Sequence, residues 1–326
     1  MNAFLHVLEG GLQTTIQDGG RTGFLALGVP RGGALDDLSF RLANRLAGNP
    51  PGTAVLELRS PGPVLRVDAA SARIVLTGSG QGLVIERGGE ARHWASWRAI
   101  DVGRGDILRI VPFADTAVAY LAVAGGFDVP EVLGARATFL RGGFGGLEGR
   151  ALEPGDRLAL LSPAAPDDPC FTLLRPPVFT PSPVLRALPG PQADHFAEET
   201  LASFFRQEFT VSLNVDRMGM RLEGAPLRHK GSADIVSDAT VPGAVQVPGS
   251  SQPILLLKDC QTTGGYPKIA VVISADLPLA GRVLPGAKLH FRRVSMSEAE
   301  EAMADAEYMY KSCAARAVAV RDGWKG

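Results

Sequence analysis

Residues 255–278 read LLLKDCQTTGGYPKIAVVISADLP. Two apolar runs, Pro253–Lys258 and Lys268–Ser274, have the length and composition of buried strands. They bracket a polar, hairpin-like segment, Asp259–Pro267. A turn needs only Gly, Asn, Asp or Pro for its backbone geometry. Here an acid, a glutamine, two threonines, two glycines and a tyrosine stand together, which points to a loop built to hold a ligand.

Outward from this stretch the same pattern recurs. Short strand-like runs fill the first half: FLHVL (4–8), TAVLEL (53–58), VLRV (64–67), RIVLTG (73–78), GLVIE (82–86), DILRIV (106–111), AVAYLAV (117–123) and DRLALL (156–161). With 39 glycines and 24 prolines among 326 residues and no repeating period, they predict a mainly β chain of barrels or sandwiches with tight turns. LDDLSFRLANRLAGN interrupts them as a helix, with Leu35, Leu38, Leu42 and Leu46 at helical spacing and Gly48 where a C-terminal cap belongs. A second helix is expected around HFAEETLASFF (195–205). A third starts near Glu298, with Ser297 and Glu300 as a capping box.

The Pro-dense stretch after Leu161 reads as a connector. It divides the chain into residues 1–163, a connector at 164–182, a second domain at 183–295 and a helical tail at 296–326. At a net charge of −1 the chain has no overall electrostatic footprint for nucleic acid or an anionic membrane. The N-terminus lacks the pattern of a signal peptide and no run reaches membrane-helix length, so a cytoplasmic location is expected. Cys170, Cys260 and Cys313 are far apart and suggest neither a disulfide framework nor a zinc site, and the five histidines lack metal-ligand spacing. No phosphate loop, dinucleotide fingerprint or nucleophile elbow appears.

Polar clusters in turn-rich settings remain. Asp18 and Arg21 in TTIQDGGRTGF form a candidate carboxylate–guanidinium pair able to grip a carboxylate, or to stabilise a turn. Gly32 and Gly33 precede a helix whose free N–H groups could cradle an anion, unless Asp36 or Asp37 caps it. Asn44 and Asn49 suit backbone-holding roles in loops. Asp216, Arg217 and Arg221 make a second acid–guanidinium cluster. In the opening stretch, Gln261, Thr262, Thr263, Gly264, Gly265, Tyr266 and Lys268 supply amide, hydroxyl and ammonium groups suited to binding a small polar substrate, or to a tightly bonded turn.

Taken in order, IQDGGRTG, AVLEL, DRMGMRLEG, GAVQVP, QTTGGYPKIA and LPGAKLHF closely resemble the allophanate hydrolase subunit 2 family, also known as biotin-dependent carboxyltransferases. The resemblance runs from about residue 4 to 295. It implies two cyclophilin-like β-barrel domains with a few inserted helices and a C-terminal helix. Stand-alone bacterial members look like the C subunit of a three-protein 5-oxoprolinase. That implies an allophanate hydrolase subunit 1-type partner, a LamB/YcsF-type partner, and ATP used by the complex to open 5-oxo-L-proline to L-glutamate. Lys268, Tyr266, Asp18 and Arg21 are then the candidate catalytic groups. Gln261, Thr262, Thr263, Gly264, Gly265, Asp216, Arg217 and Arg221 are the candidate substrate contacts. Cys260 is a poor nucleophile candidate. Two other readings stand beside this one. The first is a biotin-dependent carboxyltransferase for a urea-like acceptor, whose relatives carry biotin carboxylase and carrier domains not found in this sequence. The second is a regulatory protein that binds a sensor kinase.

Overall fold

The computed structural model describes residues 3–320. The chain is mainly β and divides into two compact units. One comprises residues 3–21, Gly32–Val178 and 309–320; the other comprises Thr22–Arg31 and Phe179–Tyr308.

The first unit holds two sheets. A six-stranded sheet runs Arg157–Ala159, Phe4–Glu9, Val64–Asp68, Ile107–Ile110, Leu83–Arg87 and Glu90–Trp94. A seven-stranded sheet runs Gln13–Gln17, Val55–Arg59, Ala119–Val123, Ser71–Thr77, Arg98–Gly103, Cys170–Leu173 and Ala317–Val320. Alternate residues of these strands, among them Leu5, Leu56, Leu65, Ile74, Ile85, Leu108 and Leu121, enter one continuous apolar core. All eight strand-like runs of the first half are strands. The Pro-rich stretch is not wholly a linker: Cys170–Leu173 is a sheet strand, and the segment before it is fixed by Arg73. That buried guanidinium holds Asp101 bidentately and donates to the carbonyls of Pro166, Asp168 and Pro169.

The helix Asp37–Ala47 packs on strands Ser71–Thr77 and Ala119–Val123. Its buried face carries Phe40, Leu42, Ala43, Leu46 and Ala47, so Leu38 is only half-buried and Leu35 precedes the helix. Gly48 caps it in the left-handed region, φ 79°, as the sequence predicts. The expected anion cradle is already filled. Asp36 accepts from Ser39 N and Oγ, and Gly33 packs its backbone on the Asp18–Gly20 turn, where a Cβ would lie 2.8 Å from Gly20 N. Asn44 and Asn49 hold backbone carbonyls, of Thr53 and Val123 respectively.

Under the start of this helix lies a buried polar chain. Asp36 N–H donates to the Tyr120 hydroxyl, which donates to Glu57 Oε2, which also accepts from Leu35 N–H. Burial, and then the charges of Glu57 and Asp36, raise the Tyr120 hydroxyl well above the ordinary phenol, so it stays a donor.

The second unit is a closed barrel in the order Val184–Pro189, Lys268–Val272, Ala244–Gln246, Ile254–Leu256, Gly219–Glu223, Glu208–Val215 and Lys288–Arg293. The last strand returns to pair in parallel with the first. Phe204, from the helix Glu198–Arg206, stacks on Phe291 at 4.5 Å and contacts Phe209 at 5.6 Å. The strands bracketing Asp259–Pro267 are not a hairpin, because Ala244–Gln246 lies between them and pairs with both. The C-terminal helix is Met296–Ala315, and its capping box is Ser295 with Glu298, two residues earlier than expected.

Tyr120→Phe deprives a buried N–H of its acceptor and a buried carboxylate of a donor. A loss of about 1–3 kcal/mol in unfolding free energy, measured in urea, is expected.

Candidate functional site

The loop that opens the sequence is held in place at three points in the second unit. At its entry, the Arg217 guanidinium grips the Asp259 carboxylate bidentately, at 2.8 and 3.0 Å, with both side chains 4% exposed. The backbone reinforces the pair, since Leu257 N and Asp259 N donate to the Met218 and Arg217 carbonyls. In the middle, Thr240 N–H donates to Thr262 O and its hydroxyl to Gln261 O, while Thr263–Gly264 pairs with Asp238–Ala239 as a two-stranded sheet. At the exit, buried Lys268 donates through Nζ to Asp238 Oδ2 at 2.7 Å, and Asp238 also accepts from Gln192 Nε2 at 3.0 Å.

This corrects the acid–guanidinium cluster read from DRMGMR. Arg217 pairs with Asp259 across the barrel strands, not with Asp216, whose carboxylate instead accepts the amides of Met218 and Gly219 in a local turn. Arg217 therefore positions the loop, and Arg221 is exposed on the strand Gly219–Glu223. Asp18 and Arg21 belong to the other unit and do not form the expected pair. Asp18 accepts from Gly20 N at 2.8 Å and Arg136 N at 2.5 Å. Arg21 is buried, donates to Ala137 O and lies 5.0 Å over the Phe144 ring. Both fix the chain around Arg136–Phe144.

Beside the loop is a cavity of about 570 Å³, within the second unit. Leu25, Leu188, Val241, Ile273, Leu277 and Met303 give it a largely apolar wall, and Thr240, Gln261 and Thr262 bring polar groups to it. Cys260 also lines it, but burial, and then the adjacent Asp259 charge, push its thiol up to about 12, so it is a poor nucleophile. Tyr266 is 39% exposed at the loop surface. Gln192, Asp238, Thr240 and Gln246 bond to the loop and to Lys268 at its exit, and sequence reasoning misses all four. Asp238 could be found only by pairing its strand with Thr263–Gly264, and two residues carry no such pattern.

The loop carries hydroxyl and amide groups, and the lysine at its exit is buried in an ion pair with Asp238; among the described residues no cluster of histidine, cysteine or carboxylate side chains could hold a metal ion. Residues 27–293 match the carboxyltransferase domain, subdomain A and B, and the chain belongs to that family. It is 36% identical to the C subunit of the Escherichia coli 5-oxoprolinase over 312 residues, 96% of this chain and 98% of that protein. Among solved structures, it is similar to the urea carboxylase of Kluyveromyces lactis, with 31% identity and a TM-score of 0.88 over 98% of this chain. It is also similar to TTHA0988, with 37% identity and a TM-score of 0.77 over 89%. The chain spans 29% and 56% of those two proteins. Among the described residues no helix is long and apolar enough to cross a membrane.

Two outcomes are expected here. Arg217→Leu strands a buried carboxylate and destabilises by about 3–5 kcal/mol, most of which the double variant Arg217→Leu/Asp259→Leu recovers in chemical denaturation. The Asp238 carboxyl is held below its usual range, by Lys268 first, then by the Gln192 amide and the Ala239 N–H. Its stabilisation is therefore complete above the ordinary aspartate value of about 3.9 and is lost as pH falls through the lower folded value. Asp238→Asn flattens that acid limb in a profile of melting temperature against pH.

Proposed function

We propose that this chain is the C subunit of an ATP-driven 5-oxoprolinase and works with other proteins to open 5-oxo-L-proline to L-glutamate. One observation carries the reading: the similarity to the Escherichia coli protein takes in 98% of its length, at 36% identity. The partners it calls for are an allophanate hydrolase subunit 1-type protein and a LamB/YcsF-type protein.

The chemistry gives the loop a task. Attack on a lactam carbonyl moves negative charge onto its oxygen, and fixed donors aimed at that oxygen lower the barrier. Lys268 is a buried ammonium held by Asp238, and to Gln261, Thr262, Thr263 and Tyr266, in the loop that leads to it, we assign the task of orienting the ring. The cavity lining does not fit a triphosphate. Its cations are Arg31 and Lys258, Glu300 faces the same space, and the remaining wall is neutral and mostly apolar. We therefore assign the nucleotide to the assembled complex and route no step through this cavity. The similarity to urea carboxylase supports a second reading, carboxyl transfer to a urea-like amide with biotin supplied by another protein.

Glutamate release from 5-oxoproline, followed with this chain and both partners and with each omitted in turn, tests the proposal. Turnover requiring all three is expected. Turnover without this chain, or none in a folded complete mixture, would sink it. In the active complex, Lys268→Met keeps the buried stem and removes the charge. It should lower turnover by at least about a hundredfold while the complex still assembles on a sizing column.

A further inference from the structure

Gln246 ends the strand Ala244–Gln246, and its backbone pairs with Lys268 on the neighbouring strand. Directly paired residues of an antiparallel ladder send their side chains to the same face, so this amide and this ammonium leave the barrel wall together. Gln246 is 2% exposed. Its Oε1 accepts from Gln261 Nε2 at 3.2 Å, while its own Nε2 finds no acceptor among the described residues. Such a donor is uncommon, because burial removes its hydrogen bonds to water and nothing has replaced them. The loop meets this donor at a glycine: a Cβ on Gly264 would stand 2.4 Å from Gln246 Nε2. Lys268 carries three N–H donors, with Asp238 Oδ2 as acceptor. Gln246 Nε2 is thus a buried donor without an acceptor, next to a lysine whose ammonium donates, among the described residues, to Asp238 alone. The complement is a ligand oxygen, a carbonyl or a carboxylate, and not a cation.

We infer that Gln246 is a substrate-binding residue whose Nε2 donates to the carbonyl or carboxylate oxygen of a small cyclic amide. Gln261 holds the Gln246 amide in the orientation that leaves Nε2 available. The inference rests on the oxoprolinase reading and deepens it, by naming a contact that faces the substrate from the barrel wall and not from the loop.

Gln246→Glu keeps the side-chain length and the acceptor for Gln261, and replaces the donor with a carboxylate oxygen. In the assembled complex, KM for 5-oxoproline should rise at least about tenfold, the worth of one good hydrogen bond to a polar ligand. KM for ATP should hold. Gly264→Ala sets a methyl 2.4 Å from the present position of Nε2, so the Gln246 amide must shift away from it, and the same KM should rise; this variant carries the test alone if Gln246→Glu does not fold. An unchanged KM for 5-oxoproline in a folded variant overturns the inference and leaves the oxoprolinase reading standing, with a bound water as the partner of Nε2. A wild-type complex without oxoproline turnover fails the reading itself and overturns this inference with it.

Discussion

Two charges buried side by side, Arg217 and Asp259, set the geometry on which the second unit's loop depends. Removing both ions from water is costly, and only a bidentate pair with good geometry offsets that cost inside a protein. Their strands are neighbours in the barrel, and the backbone bonds from Leu257 and Asp259 carry that pairing past the last ladder residue. With the entry fixed, the chain cannot wander as a free loop of its length would. It meets Thr240, then Asp238 and Ala239, and rejoins the barrel at Lys268. The ammonium of Lys268 is thus held by a chain of contacts that starts at Arg217, far back in the sequence.

The first unit uses similar residue types for a different end. Asp18, Arg21 and the Gly32–Gly33 pair look in sequence like separate ligand sites. In the structure Asp18 and Gly33 meet, because Ala34 N–H donates to the Asp18 carbonyl and the Gly33 backbone lies on Gly20. The Asp18 carboxylate and Arg21 Nη2 bond backbone groups of their own unit, where burial has removed water as a partner.

Much of the fold is legible in the sequence. The eight strand-like runs of the first half, the helix ending at Gly48 and the helix around Glu198–Arg206 all show in local periodicity, since side-chain pattern and backbone geometry are locked together over a few residues. Pairing across long separations is not legible. Nothing in PILLLK or KIAVVIS says that Ala244–Gln246 will lie between them, nor that Arg217 will choose Asp259 over its neighbour Asp216. The capping box shows the same limit at short range. Ser295 with Glu298 and Ser297 with Glu300 both fit the pattern, and the choice falls to packing, since Val294 and Ala302 share an apolar cluster with Ile273. Of the candidate site, the loop itself can be read from its composition. Its neighbours Gln192, Asp238 and Gln246 cannot, because each lies on a different part of the chain.

The barrel's parallel seam joins Val184–Pro189 to Lys288–Arg293, the first and last of its strands in chain order. Every other strand can find its partner earlier, but this ring shuts only when its final member arrives. A chain emerging N-terminus first from a ribosome therefore carries a nearly complete sheet with two open edges until Arg293 is free. Exposed edges are templates for pairing with other chains, and contacts this distant in sequence form slowly. During synthesis, the interval before the seam forms is when this unit is most exposed to aggregation.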